Sequence, residues 1–356
     1  MKMTFRWFGS NEEKIQLADI RQIPGVTGIV GMIMDIPAGE VWPVDRIKAL
    51  RKEVEDSGLT LKVIESVNIH DDIKIGKPTR DKYIENYKTT IRNLASQGIE
   101  VICYNFMPVF DWLKTDLVYH LPDGSNTMAF FKKDVIDSPE ELIAAVENSS
   151  EGFTLPGWEP ERLAQVKTLF AEYINVDEEK LRENFKYFME AIIPTCEEAG
   201  VKMAIHPDDP PFSIFNLPRI VKNREDLDWI VSAVDSPSNG ITFCTGSIGT
   251  DPNNDIYELI ATYTKRDRIP FAHIRNIKFL SSEDYYESAH LSKEGSFDMY
   301  KVMKAFHDNG FSGYARPDHG RMIWGETGRP GYGLYDRALG ITYLHGLWEA
   351  LEKSKK

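Results

Sequence analysis

The segment DEEKLRENFKYFMEAIIPTCEEAGVKMAIHP, residues 177–207, contains the structural unit from which the fold is predicted. Residues 177–200 are compatible with one helix, and they end at a glycine, as helices commonly do. Residues 202–207 form a short apolar run that ends in His-Pro, which is typical of a buried strand followed by a turn. A helix that leads directly into such a strand is the repeating unit of a parallel α/β protein.

The same alternation runs through the rest of the chain. Eight β-like runs occur, at 3–9, 26–33, 61–67, 100–106, 202–207, 240–246, 270–276 and 313–318. Helical patterns lie at 11–20, 43–59, 79–98, 177–200, 223–234, 254–265, 297–309 and 333–351. Eight such units predict an α/β (β/α)8 TIM barrel, because eight parallel strands close around an interior that side chains can fill. The alternative is a doubly wound open sheet, but the chain has no G-x-G-x-x-G or Walker motif.

One interval breaks this rhythm, between the fourth predicted strand and the helix at 177–200. A loop of that length without secondary structure is unusual inside a compact domain. We therefore expect residues 107–175 to form a small hairpin and helices that cap the barrel mouth. The cap is expected to be an insertion within one TIM-barrel domain that spans residues 1–356.

Composition limits the functional classes. The formal charge is −13, from 42 basic and 55 acidic residues, which argues against nucleic acid and against an anionic membrane surface. No apolar run reaches the length of about 18 residues that a membrane span needs. The three cysteines have no short spacing that would suggest a disulfide framework or a zinc ribbon. With no recognisable signal peptide at the start, a cytoplasmic protein is expected.

Four metal-capable side chains stand at the ends of the last four predicted strands: His206, Cys244, His273 and Asp318. Barrel enzymes place their chemistry at the C-terminal ends of the strands, so these side chains are expected to meet at one mouth. Imidazole nitrogen, thiolate and carboxylate are all donors for first-row divalent metals. The pattern predicts a metal site with four protein ligands.

Each of these residues also has an ordinary interpretation. A histidine in a strand is often a hydrogen-bonded core residue, and a buried cysteine often fills space, as is expected for Cys103 and Cys196. An aspartate after a strand often caps a turn. The placement of all four at adjacent strand ends favours the metal site. A thiolate favours zinc or iron, whereas a carboxylate is also compatible with manganese, so the donor types leave the metal open.

Further polar groups are expected near this mouth. His319 directly follows a predicted ligand, and Tyr332 lies in a glycine-rich loop; both are candidates for proton transfer. Arginine binds carboxylates through paired hydrogen bonds, so arginines beside a metal suit an anionic small molecule. The candidate substrate-binding residues are Arg275, Asn276, Arg316 and Asn105.

Several motifs resemble those of one enzyme family: AIHPDDPP (204–211), TFCTGS (242–247), FAHIRN (271–276), RPDHGR (316–321) and GRPGYGLYDRALGI (328–341). They resemble the D-mannonate dehydratases of hexuronate (glucuronate) catabolism, a family with a xylose-isomerase-like barrel. The resemblance implies dehydration of D-mannonate to 2-keto-3-deoxy-D-gluconate. It implies Mn²⁺ or Fe²⁺ held by the four residues named above, and it implies that His319 and Tyr332 are catalytic.

Such a reaction removes a proton from C2 and expels hydroxide from C3. We expect Tyr332, as a phenolate or through a relay, to take the C2 proton, and protonated His319 to supply a proton to the leaving hydroxyl. A metal-dependent sugar isomerase or epimerase on the same barrel remains an alternative. A non-catalytic sugar-acid-binding protein is another. Barrels of this kind often form homodimers, which is the expected oligomeric state.

Overall fold

The computed structural model describes residues 1–135, 141 and 166–354. Within these residues the strands are β1 (Lys2–Arg6), β2 (Gly28–Gly31), β3 (Thr60–Glu65), β4 (Val101–Tyr104), β5 (Asp116–His120), β6 (Asn126–Phe130), β7 (Lys202–Ile205), β8 (Asn239–Cys244), β9 (Phe271–His273), β10 (Asn276–Phe279), β11 (Tyr285–Ser288) and β12 (Tyr314–Arg316). Eight of these described strands form a closed parallel barrel in the order β1-β12-β9-β8-β7-β4-β3-β2. The predicted (β/α)8 barrel is confirmed.

The α-helices of the described residues are α1 (Leu17–Arg21), α2 (Val44–Asp56), α3 (Asp71–Ile75), α4 (Arg80–Ser96), α5 (Val166–Tyr173), α6 (Glu178–Ala199), α7 (Arg224–Ala233), α8 (Thr245–Gly249), α9 (Ile256–Lys265), α10 (Met299–Asp308) and α11 (Leu334–Ser354). None of the helices in this part of the chain combines the length and the apolar character that a membrane span requires.

Helix α6 shows why the segment quoted first folds as it does. The Asp177 carboxylate accepts the backbone N–H of Lys180 at 2.8 Å and so caps the first turn. Gly200 ends the helix with φ of 71°, a left-handed conformation that glycine adopts without a steric penalty. The apolar face packs on α4, where the rings of Phe188 and Tyr87 lie 5.2 Å apart in an edge-to-face contact. The helix is thereby fixed on the outside of the barrel, and β7 follows it directly.

The register of the barrel brings the C-terminal ends of three strands level with one another. Cys244 of β8 is paired with His273 of β9. His273 is also paired with Arg316 of β12. Side chains at or just after these positions therefore enter the same layer of the barrel mouth.

A separate buried cluster draws residues from six of the barrel strands, as expected for a barrel interior filled by side chains. It consists of Val30, Val63, Val101, Cys103, Ala204, Phe271 and Tyr314. The pKa of the Cys103 thiol is raised well above its usual value by burial. Cys103 therefore has the surroundings of a neutral, space-filling thiol, and Cys196 lies buried in α6.

A four-stranded antiparallel sheet, here called the cap sheet, lies beside the barrel in the order β10-β11-β6-β5. The β5–β6 hairpin falls inside the predicted cap at 107–175. The β10–β11 hairpin follows the seventh barrel strand and was not predicted from the sequence. Strand β11 pairs with β6 through Tyr285 opposite Phe130, so the two hairpins form one sheet. Helix α5 (Val166–Tyr173) also falls inside the predicted cap, whereas residues 136–140 and 142–165 of that range lie outside the described residues.

One predicted helix is shorter than expected. The pattern at 11–20 predicted a helix over that range, but α1 spans only Leu17–Arg21. Residues 10–12 form a turn closed by the bond from the Glu12 N–H to the Gly9 carbonyl. Gly9 has φ of 114°, which a helix cannot continue through. The chain therefore leaves β1 through a turn before the helix begins.

Candidate active site

The four predicted donors lie together at the C-terminal mouth of the barrel. His206 follows β7, Cys244 and His273 end β8 and β9, and Asp318 follows β12. The nearest ligand atoms of His206, Cys244 and His273 are all within 4.8 Å of one another. The carboxylate of Asp318 reaches the same point, with Oδ2 3.4 Å from Cys244 Sγ and Oδ1 3.4 Å from His273 Nδ1. Four donors on consecutive barrel strands therefore surround one small space.

The chemistry of these donors fits a divalent cation. His273 Nδ1 is buried and has no hydrogen-bond partner among the described residues, as expected for a nitrogen reserved for a ligand. Cys244 Sγ accepts the N–H of Ser247 at 3.3 Å and its hydroxyl at 3.1 Å, contacts that stabilise a thiolate. Burial acts to raise the pKa of Asp318, but His319 and Arg316 outweigh it and hold the pKa well below its usual value. Two nitrogens, one sulfur and one carboxylate suit a first-row metal.

A second cluster of donors shares His273 and does not suit a cation equally well. Glu65, Cys103 and His273 also bring ligand atoms within 4.8 Å of one another. The guanidinium of Arg316 already bonds both oxygens of Glu65, from Nη2 at 2.8 Å and from Nε at 3.0 Å. Burial also raises the pKa of the Cys103 thiol well above its usual value, whereas a metal binds the thiolate form of cysteine. The cluster that contains Cys244 is therefore the better candidate.

His319 and Tyr332 form a buried hydrogen-bonded pair beside the four donors. The Tyr332 hydroxyl lies 3.1 Å from His319 Nε2. On its other side, His319 Nδ1 lies 3.0 Å from Glu287 Oε1 and 2.9 Å from Arg275 Nη1. Burial raises the pKa of Tyr332 to about 12, so a standing phenolate is unfavourable. The geometry favours the relay, in which the two side chains share a proton.

A cavity of about 60 Å³ brings these groups into contact with a common space; its walls include His206, Asp318, His319, Tyr332, Arg316 and Asn105. A larger cavity of about 450 Å³ adjoins it, since Ser66 lines both. The larger cavity is bordered by the segment that follows β2, residues 32–42. The small cavity therefore contains the candidate reactive groups, and the larger cavity provides space for the rest of a bound molecule.

Two of the four predicted substrate-binding residues lie in this cavity. Arg316 is paired with Glu65 and Asp318, yet its Nη1 has no hydrogen-bond partner in the part of the chain that the structure describes. The carbonyl oxygen of the Asn105 amide accepts the N–H of Met107 at 3.2 Å, while the side chain still faces the cavity. Both residues are placed where they could contact a bound molecule.

Arg275 is placed differently from the expectation. It is buried, and its guanidinium is bonded to Asp209 at 2.7 Å and to Glu287, with Asp318 2.9 Å from Nε. It is not among the residues that line the cavity. Three carboxylates already lie against its guanidinium. We therefore assign Arg275 a structural role, in which it connects these carboxylates, and not a contact with substrate.

Asn276 also makes internal contacts. Its amide nitrogen donates to the carbonyls of Leu291 and Phe297, and its amide oxygen accepts the N–H groups of Ile277 and Phe297. The side chain is fully buried. These bonds fasten the segment at 291–297 to the start of β10, so Asn276 has no amide atom left for substrate. The strand-end position suggested a binding residue, whereas the surrounding backbone uses the whole amide.

Asn276→Ala is therefore expected to lower the free energy of unfolding by about 2–4 kcal/mol, because it leaves several buried backbone groups without partners. Urea unfolding of the wild type and the variant measures the difference. Asn253→Ala is the matched control, since Asn253 lies exposed and its side chain bonds only the neighbouring Asp251. Equal stability losses in the two variants would contradict the structural assignment of Asn276.

Four charged residues at this site were not singled out from the sequence: Glu65, Lys114, Asp209 and Glu287. Asp209 lies inside the HPDDPP motif, where only the histidine was interpreted. Lys114 donates to Asp209 at 2.8 Å, and both side chains are almost completely buried. Lys114 lies in the segment that was predicted to cap the barrel mouth, but no pattern singled out this residue. Glu287 comes from the β10–β11 hairpin, which was not predicted. Asp209 offered a signal in the sequence, because it lies two residues after the end of the predicted strand at 202–207.

The fold and the site together define a (β/α)8-barrel enzyme with a candidate divalent-metal centre and a buried, hydrogen-bonded pair of a histidine and a tyrosine. Comparison with known proteins identifies the family. The whole chain, residues 1–356, matches the family model of D-mannonate dehydratase (UxuA). The chain is 71% identical to a mannonate dehydratase from Lactococcus lactis subsp. cremoris (strain MG1363), with 100% of both chains covered. The protein belongs to the D-mannonate dehydratase family.

Solved structures agree with this assignment. A crystal structure of mannonate dehydratase from Streptococcus suis serotype 2 matches with a TM-score of 0.90 and 47% identity, covering 100% of this chain and 96% of that chain. A xylose isomerase domain protein from Planctomyces limnophilus matches with a TM-score of 0.56 and 12% identity, covering 99% and 98%, which supports the fold alone. The family and the barrel type expected from the motifs are confirmed. The chain is a hydro-lyase of a metal-dependent family whose substrate is a sugar acid.

Proposed function

We propose that the chain converts D-mannonate to 2-keto-3-deoxy-D-gluconate and water at the mouth of its barrel, as a step of hexuronate catabolism. The observation that carries this proposal is the convergence of His206, Cys244, His273 and Asp318 directly beside the His319–Tyr332 pair. Dehydration of a 2,3-dihydroxy acid needs both elements, because charge develops at the carboxylate while a proton leaves C2 and hydroxide leaves C3.

The four donors would hold Mn²⁺ or Fe²⁺. Iron accords with the thiolate of Cys244, and manganese accords with the carboxylate of Asp318. When bound, such a cation supplies Lewis-acid stabilisation of the negative charge that develops on the substrate. The remaining requirements, which are binding, orientation and proton transfer, fall to the side chains of the chain itself.

Arg316 and Asn105 are the proposed substrate contacts. Arg316 lines the cavity, and its Nη1 has no hydrogen-bond partner among the described residues, so a guanidinium donor is available for the carboxylate of the substrate. Asn105 is suited to a substrate hydroxyl, because an amide can donate and accept. The adjoining larger cavity offers room for the carbon atoms beyond the reacting centre.

The proposed proton path runs through the hydrogen bond between Tyr332 and His319. The Tyr332 oxygen takes the C2 proton as its own proton passes to His319 Nε2, so a free phenolate need not persist. Protonated His319 then gives this proton to the hydroxyl that leaves C3, and water forms. The enol that remains tautomerises to the 2-keto acid, which balances the reaction without any other reactant.

The test is direct. Purified protein is analysed for bound metals, treated with a chelator, and assayed with D-mannonate for 2-keto acid before and after Mn²⁺ or Fe²⁺ is restored. We expect product in the untreated protein, loss of nearly all activity after chelation, and recovery with one or both metals. Metal-loaded protein that binds D-mannonate without making 2-keto acid would contradict the proposal. Conversion to an isomer or epimer would establish the alternative enzyme class.

We also propose a homodimer in the cytoplasm and a single domain over residues 1–356. A chain whose three cysteines are all unpaired is typical of a reducing compartment. Barrels of this kind often associate through outer helices or caps. Light scattering on the purified protein measures its mass directly, and a monomer at working concentration would contradict the dimer.

A further inference from the structure

The cap sheet contributes one ionised side chain to the barrel mouth, Glu287 of β11. Its side chain is 2% exposed, and Oε1 lies 3.0 Å from His319 Nδ1. The same oxygen is bonded to the guanidinium of Arg275, and Lys114 Nζ is 3.8 Å away. Burial acts to raise the pKa of Glu287, but Arg275 and His319 outweigh it and lower the pKa to about 2. A full negative charge therefore stands directly behind the imidazole.

We propose that Glu287 is a positioning residue for catalysis: it accepts the Nδ1–H of His319 and thereby keeps Nε2 turned towards the Tyr332 hydroxyl. The inference rests on the proposed function, since it assigns a partner to one member of the proposed acid–base pair. A carboxylate that bonds one imidazole nitrogen fixes the ring orientation and decides which nitrogen carries the proton.

The geometry around the ring supports this assignment. The imidazole of His319 has two ring nitrogens that can form hydrogen bonds. Nδ1 lies against Glu287, and Nε2 lies against the Tyr332 hydroxyl. Arg275 Nη1 lies 2.9 Å from the same Nδ1, and because a guanidinium only donates, it could bond this nitrogen only in the opposite tautomer. Nη1 already donates to the Glu287 carboxylate, which is the partner that we assign to it. With the proton of neutral His319 on Nδ1, Nε2 is left as an acceptor for the Tyr332 hydroxyl, as the relay requires.

Stability alone does not explain a charge at position 287. Glu287 pairs with the buried guanidinium of Arg275, but Asp209 and Asp318 also lie against that group, and burying a third carboxylate carries a desolvation cost that ion pairing often only balances. Glu287 Oε2 has no hydrogen-bond partner among the described residues, so the carboxylate is not fully satisfied by the fold. A third buried carboxylate beside Arg275, placed against a proposed catalytic group, points to a functional role.

The first experiment is a double-mutant cycle with D-mannonate. Glu287→Gln is expected to lower kcat about 100-fold, with KM and metal content nearly unchanged, as is common when the partner of a functional histidine is lost. In the His319→Asn background the same change should cost less than about 3-fold, because the residue through which Glu287 acts is already gone. Equal losses in both backgrounds would show a merely structural effect and overturn the proposal.

Glu283→Gln is the matched control, because it makes the same substitution in the same hairpin at an exposed residue. Glu283 pairs only with Lys132 on the surface of the described chain. Its kcat should equal that of the wild type. A loss like that of Glu287→Gln would mean that the hairpin responds to charge removal in general.

The second experiment does not depend on turnover. Nitrogen-15 NMR of histidine-labelled, metal-free wild-type protein reports which ring nitrogen of each histidine carries the proton, and His319→Asn identifies the signal of residue 319. We expect His319 Nδ1 to be protonated. An unprotonated Nδ1 would overturn the role of Glu287 even if the enzyme is active. If the wild type fails to dehydrate mannonate, the proposed function falls while this measurement still decides the Glu287 contact.

Discussion

Cys244→Ala is expected to release the bound divalent metal and to lower kcat/KM at least about 1000-fold, because it removes one of four donors and the charge of a thiolate. The sulfur lies 3.4 Å from Asp318 Oδ2, and Cys244 ends the strand that is paired with His273, so its removal opens one side of the donor cluster. Elemental analysis of the purified variant and the 2-keto acid assay measure the two losses separately.

Cys196→Ala is the matched control, since it makes the same substitution at a buried cysteine of α6. Burial raises the pKa of the Cys196 thiol to about 12, so this residue is a neutral core group. The control should lose about 1 kcal/mol of stability from a small cavity while keeping its metal and its turnover. A Cys244→Ala protein that keeps a full equivalent of metal would contradict the proposed ligand set.

The sequence was sufficient to predict the barrel and the position of the donor cluster for a physical reason. Short apolar runs alternate with amphipathic helices, and the ends of consecutive parallel strands must meet at one mouth. His206, Cys244 and Asp318 could therefore be placed beside His273 although as many as 112 residues separate the first from the last (318 − 206). The pattern of apolar residues in the strands is therefore sufficient to predict the barrel and the strand ends at which the donors lie.

Side-chain partners could not be predicted in the same way. Arg275 and Asn276 stand at a strand end, as binding residues do, but three carboxylates occupy one and four backbone bonds occupy the other. Apart from the adjacent Ile277, those partners lie 12 to 66 residues away along the chain. Glu287 was missed because its hairpin, β10–β11, has no clear alternation and is stabilised by pairing with β6. Tertiary pairing, which a local pattern does not contain, decides such positions.

The shortened helix α1 makes the same point at the level of secondary structure. The residues at 11–16 are compatible with a helix, but they must follow the turn at Gly9 that leads out of β1. The indole N–H of Trp7 donates to the Ile15 carbonyl at 3.0 Å, which holds this segment against the barrel in a non-helical path. A tertiary hydrogen bond therefore overrides a weak local preference.

Tyr332→Phe and His319→Asn are each expected to lower kcat by two or more orders of magnitude while the metal content stays at the wild-type level. Tyr332→Phe removes only the hydroxyl that lies 3.1 Å from His319 Nε2, so the proton relay loses the atom that meets C2. His319→Asn removes the group that receives this proton and returns it at C3. Because the two residues act in one relay, the double variant should be little slower than the slower single variant.

Two controls separate chemistry from packing. Tyr335→Phe removes a hydroxyl from an exposed tyrosine three residues further along, and His120→Asn changes an exposed histidine of β5; both variants should keep wild-type kcat. Metal loss in Tyr332→Phe or His319→Asn would move that residue from proton transfer to metal retention. Multiplicative losses in the double variant would mean that the two side chains act independently, and the shared proton path between them would have to be abandoned.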